Sequence, residues 1–180
     1  MKRFEIYIDG ASKGNPGPSG VGVVICEGKE AVRNISVFIG NTTNNVAEYT
    51  ALIYALQEAL KLKAEVLKIN TDSQLLYRQL KMVYKTRHPN IVGLYNQVSH
   101  LLPAFKEVIF AHIPREKNKG ADRLATNAIR EEAKKNVSLK TGRVGCGCSG
   151  PKPERKVRAP EDSVVGNTHH SAQVNWDWGG

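Results

Sequence analysis

Four acidic residues stand where the chain changes character: Asp9 in "YIDGASKGNPG", Glu48 in "NTTNNVAEYTAL", Asp72 in "LKINTDSQLLYR" and Asp122 in "REKNKGADRLA". Each alone has an ordinary explanation. Asp9 suits an Asx turn, Asp72 suits the cap of a helix beginning at Ser73, and Glu48 and Asp122 suit helix N-termini, where the backbone dipole favours negative charge. If the fold gathers all four, those explanations no longer suffice. Crowded carboxylates repel one another and lose hydration, so such a group persists only when a cation neutralises it. Oxygen donors without Cys or His suit hard divalent ions, Mg²⁺ or Mn²⁺, whose remaining shell is completed by water and phosphate.

The elements that must position these acids are legible from periodicity. "RFEIYID", "GVGVVIC" and "AVRNISVFIG" read as three strands joined by hairpins. From Asn44 the period changes: Ala47, Ala51, Leu52, Ala55, Leu56 and Ala59 fall at helical spacing, predicting a helix to about Leu62. The strand "EVLKINT" follows, then a helix from Ser73 to about Tyr84 and a basic loop "KTRHPN". A short helix places Leu94, Val98, Leu101 and Leu102 on one face and stops at Pro103. The strand "KEVIFAHI" then leads through a polar loop to a last helix carrying Leu124, Ala125, Ala128 and Ile129. This order predicts an α/β fold, a mixed five-stranded sheet of three antiparallel strands followed by parallel ones, flanked by helices. The first and fourth strands should be parallel neighbours, bringing Asp9 and Asp72 to one level of the sheet.

Composition sets the outer limits. Residues 1–136 carry 20 basic against 13 acidic side chains, and the whole chain has a formal charge of +9, a bias toward polyanionic partners. The N-terminal "MKRFEIYIDG" lacks a signal-peptide core, and no run approaches a membrane span, so a cytoplasmic chain without membrane contact and with reduced cysteines is expected. Cys26 reads as a small buried hydrophobe. Beyond residue 136, Gly, Pro, Ser and charge occur without a period, predicting a folded domain over 1–136 and a disordered tail over 137–180. The tail holds Trp176 and Trp178, a "CGC" and a "HH"; the C-x-C spacing is shorter than zinc sites use.

The stretches "DGASKGNPGPSGVGVVI", "TTNNVAEYTALIYAL", "TDSQLLYRQL" and "REKNKGADRLA" resemble, in order and spacing, ribonuclease H of type 1, over nearly all of residues 1–136. The resemblance implies a ribonuclease H-like fold in which Asp9, Glu48, Asp72 and Asp122 bind two divalent cations, Mg²⁺ or Mn²⁺. It implies hydrolysis of the RNA strand of RNA/DNA hybrids to 5′-phosphate and 3′-hydroxyl ends; a monomer is the default expectation. Two metals clamping the entering and leaving oxygens of an in-line displacement account for such chemistry.

By the same resemblance, Asn15, Asn45 and Gln74 contact sugar hydroxyls or base edges, and Thr43 and Asn44 hold a phosphate of the DNA strand. Amides suit a 2′-OH, which both donates and accepts. The glycines of the first turn would let backbone approach a minor groove, and N-capping is the plain alternative for Thr43 and Asn44. Two departures stand out. The loop ahead of Asp122 has no histidine; Arg115 lies nearest its place and resembles the archaeal and plant-like variant, whereas His112 reads as a packed strand residue. The chain from 85 to 95, "KTRHPNIVGLY", is also too short for a basic protrusion, leaving Lys13, Lys85, Arg87, Lys117 and Lys119, or the tail, to grip the duplex. Two other readings remain open at this stage: a noncatalytic nucleic-acid-binding module on the same fold, and a nuclease that also acts on double-stranded RNA.

Overall fold

The structure, a computed structural model, describes residues 1–81 and 89–141, with side chains described to residue 137. The expectations for Lys85, Arg87 and the Cys, His and Trp residues of the tail lie outside the described residues, and the helix expected from Ser73 to about Tyr84 is shorter, Gln74–Leu80, with Lys81 as its C-cap.

Three strands open the fold: β1 (Arg3–Ser12), β2 (Gly17–Glu27) and β3 (Glu30–Thr42). Helix α1 (Asn44–Lys61) leads to β4 (Val66–Thr71), α2 (Gln74–Leu80), α3 (Pro89–Leu101), β5 (Glu107–His112) and α4 (Lys119–Thr141), with 3-10 turns at Leu102–Ala104 and Arg115–Lys117. The strands form one sheet in the order β3-β2-β1-β4-β5. β1, β2 and β3 pair antiparallel, whereas β4 pairs parallel to both β1 and β5, as the sequence predicts. The first helical segment also lies where its apolar period places it, while α4 continues five residues past residue 136.

Alternation along the strands decides which helix covers which face. On β1, Phe4, Ile6 and Ile8 are buried in the same core as Val21, Val23 and Ile25 of β2 and Leu52 and Leu56 of α1. The alternate positions Gly20 and Gly22 of β2 lie directly beneath α4, because successive side chains of a strand leave by opposite faces. α4 presents Ala121, Ala125, Ala128 and Ile129 as its buried stripe. Four small or compact residues at helical spacing allow that helix to sit close to the sheet. Cys26 corrects its expectation: it is only half-buried, at the far end of β2.

Candidate active site

The paired residues Ile8 and Thr71 end the β1–β4 ladder, so Asp9 and Asp72 follow at the same level of two adjacent parallel strands. Asp9 is not a turn residue. β1 runs on to Ser12, and Asp9 stands opposite Gly22 of β2. Nor does Asp72 cap the following helix, since Ser73 is the N-cap and its hydroxyl accepts from the Leu76 N–H at 3.3 Å. With capping done by its neighbour, the Asp72 carboxylate is left for other work.

Two glycines bring the helices to these strand ends. A Cβ on Gly10 would lie 2.3 Å from the backbone of Ala47 and of Glu48, so only a residue without one admits α1 there. A Cβ on Gly22 would lie 2.0 Å from the Ala121 carbonyl oxygen, which is the contact that sets the start of α4 beside Asp9. The turn's glycines thus serve packing within the fold: Gly17 has the Lys13 carbonyl oxygen 2.0 Å from a would-be Cβ, and Gly14 adopts φ +103°. Glu48, the fifth residue of α1, and Asp122, in the first turn of α4, are carried in by these approaches.

All four carboxylates line one pocket of about 370 Å³, together with Asn44, Ser73 and Arg115. Burial, reinforced by the charges of Asp72 and Asp122, raises the Asp9 carboxyl to about 6. Burial raises Glu48 to about 7; Asp9 and Asp72 add to it, while hydrogen bonds from Ser73 and Asn44 oppose it. The protein itself supplies partial compensation. Arg115 Nη2 donates to Asp122 Oδ1 at 2.7 Å, Asn118 Nδ2 to Asp72 Oδ1 at 2.7 Å and Asn44 Nδ2 to Glu48 Oε1 at 3.0 Å. Among the described residues, no three acidic, His or Cys side chains already form a closed ligand set.

The donor chemistry nevertheless fits a hard divalent cation. Every candidate ligand is a carboxylate oxygen, the pocket is open, and Asp9 and Glu48 are raised first by burial and then by the neighbouring acids, both of which a bound cation would offset.

The expected substrate contacts divide. Asn44 and Arg115 line the pocket, Asn44 turned toward Glu48 and Arg115 toward Asp122. Thr43 is the N-cap of α1, its Oγ1 accepting from the Val46 N–H at 3.4 Å. Asn15, Asn45 and Gln74 are exposed and outside the pocket lining. Lys13, Lys117 and Lys119 are exposed as well. His112 does end β5 as the sequence suggests, but it is exposed and not packed: Nε2 lies 3.3 Å from the Asp72 carbonyl oxygen and the ring meets Tyr77 at 5.9 Å. Sequence reasoning missed Gly10, Gly22 and Asn118 as determinants of the site. Gly10 signalled itself only by following Asp9, whereas Gly22 acts through strand pairing and Asn118 through contacts far along the chain, neither of which periodicity weighs.

A five-stranded mixed sheet with one acid within its first strand and another just past its fourth, at the same level, defines a ribonuclease H-like domain, and comparison with known proteins agrees. Residues 7–128 match the family described as Reverse transcriptase-like. The bifunctional protein Rv2228c of Mycobacterium tuberculosis is 39% identical over 126 residues, and Ribonuclease HI of Halobacterium salinarum is 39% identical over 128. The alignments cover 69% and 71% of this chain, but only 35% and 64% of those two proteins. Among solved structures, RNase H1 of Halobacterium salinarum superposes with a TM-score of 0.70 at 38% identity, covering 72% of this chain and 98% of that one. LC11-RNase H1, solved in complex with an RNA/DNA hybrid, gives 0.69 at 38% identity, covering 72% and 99%. The chain therefore belongs to the Reverse transcriptase-like family and carries a ribonuclease H-like domain.

Proposed function

We propose that this protein is an endoribonuclease that hydrolyses the RNA strand of RNA/DNA hybrids, leaving 5′-phosphate and 3′-hydroxyl ends. In this reading Asp9, Glu48, Asp72 and Asp122 hold two divalent cations, Mg²⁺ or Mn²⁺. Such a pair supplies Lewis-acid stabilisation of both the entering and the leaving oxygen of a phosphodiester displacement. The observation that carries the proposal is the assembly of four acids from β1, α1, the end of β4 and α4 in one pocket, two of them raised to about 6 and 7. A binding module has no use for mutually repelling buried carboxylates, which cost stability unless a cation compensates them.

The chain's own groups would act as a charge scaffold. Strand β1 fixes Asp9, Asn44 orients Glu48, and Arg115 covers Asp122 until a stronger cation competes for it. Arg115 then stands at the pocket rim with a side chain 75% exposed, free to meet a phosphate of the cut strand. Asn15, Asn45 and Gln74 would meet sugar hydroxyls or base edges along the duplex, and Thr43 and Asn44 a phosphate at the N-terminus of α1.

The test uses labelled RNA/DNA hybrid, double-stranded RNA and single-stranded RNA, each with Mg²⁺, Mn²⁺ or EDTA, alongside Asp72→Asn. Cation-dependent cutting of the hybrid that Asp72→Asn abolishes is expected. Binding of duplexes without cutting in either metal would defeat the proposal, and cutting of double-stranded RNA would widen the substrate class.

A further inference from the structure

Asn118 is completely buried and belongs to no sheet or helix; it joins the 3-10 turn Arg115–Lys117 to α4. Its side-chain amide has two N–H groups, and both are used. One donates to the Ile8 carbonyl oxygen at 2.9 Å and the other to Asp72 Oδ1 at 2.7 Å. Both partners are acceptors, so the amide must present nitrogen and not oxygen to them. The backbone of the same residue engages the fourth acid's element, its carbonyl accepting from the Asp122 N–H at 3.1 Å.

We infer that Asn118 is a positioning residue for the acid pocket, locking the Asp72 carboxylate to β1 beside Asp9 while its backbone begins the helix that carries Asp122. The inference rests on the cation-binding reading of that pocket. Ile8 immediately precedes Asp9 and occupies the last pair of the β1–β4 ladder, where regular strand pairing stops. A side-chain amide inserted there bridges the two strands past the point at which backbone bonds hold them. Asp72, one residue beyond β4 and facing the charge of Asp9, would otherwise turn away from its neighbour.

Stability alone does not explain this choice of residue. The Asn118 Oδ1 is buried and has no hydrogen-bond partner among the described residues. An unpaired buried acceptor costs free energy, and a residue selected only to complete the β1 edge would not carry one. What the amide gains in return is a charge-assisted bond to one named oxygen of Asp72, the kind of partner that orients a metal ligand from behind.

The test compares the full-length wild type with Asn118→Ala and Asn118→Ser, each checked for fold by circular dichroism and studied below its melting temperature. Titration calorimetry with Mn²⁺ in the absence of nucleic acid is expected to show Kd weakened about 10–100-fold in both variants. Hybrid cleavage should lose kcat by a similar factor, with KM for the duplex within about twofold, a split that a merely loosened fold does not produce. In an Asp72→Asn background, adding Asn118→Ala should weaken Mn²⁺ no further, because the two residues act through one contact. Folded variants that bind Mn²⁺ with wild-type affinity and keep kcat overturn the assignment while leaving the proposed function intact. Wild-type protein that binds no Mn²⁺ overturns both, and loss of fold in both variants would make Asn118 structural.

Discussion

Replacing Asp9 by Asn should stabilise the cation-free protein at alkaline pH. The Asp9 carboxyl sits at about 6 in the fold against 3.8 for the free side chain, chiefly because it is buried and then because Asp72 and Asp122 face it. Its folded pKa is raised, so the folded state holds the proton more tightly than the unfolded chain does. The associated stability is present below the unfolded value and is lost as pH rises through the folded one. Above that window the wild type carries a penalty of about 3 kcal/mol, taking ~1.36 kcal/mol for each pH unit between the two values. Asn has no charge to confine, so the variant's advantage should be near zero at pH ~4 and should grow to about 3 kcal/mol at pH ~8. For a chain of this size that corresponds to a rise of about 6–12 °C in melting temperature. Thermal unfolding followed by circular dichroism in EDTA across this pH range measures it. Adding Mn²⁺ should narrow the gap, since a cation that binds only the folded wild type raises its stability by mass action. A variant no more stable than wild type at alkaline pH in EDTA, or an advantage independent of pH, would refute the claim that Asp9 holds a desolvated, repelled charge.

Other substitutions probe the parts separately. Gly22→Ala places a methyl group 2.0 Å from the Ala121 carbonyl oxygen, so α4 must shift; about 1–3 kcal/mol of stability and at least a tenfold loss in hybrid cleavage are expected, from urea unfolding and initial rates. Arg115→Ala removes an exposed partner of Asp122, and should change stability by less than about 1 kcal/mol while lowering the cleavage rate; an unchanged rate would make Arg115 a surface cation only. Leu52→Ala, on the buried face of α1, should cost about 2–5 kcal/mol in denaturant unfolding, with kcat per folded molecule preserved.

The amino-acid sequence by itself determined the order of the elements, the mixed sheet and the identity of the four acids. Those features rest on local physics. Alternation in "RFEIYID", a helical stripe from Ala47 to Ala59 and punctuation by Gly and Pro are legible within a few residues. Parallel pairing of β1 with β4 follows from the helix that must return the chain. Placement of the acids in one pocket needed information from residues far apart. Whether Asp72 capped α2 or faced the pocket was settled when Ser73 took the cap; periodicity around residue 72 allows both. Asp9 proved to lie within a continuing strand because Gly22 pairs with it from β2, a partner 13 residues away. The closeness of α1 and α4 depends on the missing Cβ atoms of Gly10 and Gly22, whose value exists only once the opposing backbone is present. Asn118 carries no periodic signal; its two acceptors come from residues 110 and 46 positions earlier in the chain. Chain-local preferences are written residue by residue, whereas close approach and amide bridging are properties of pairs that meet only after folding.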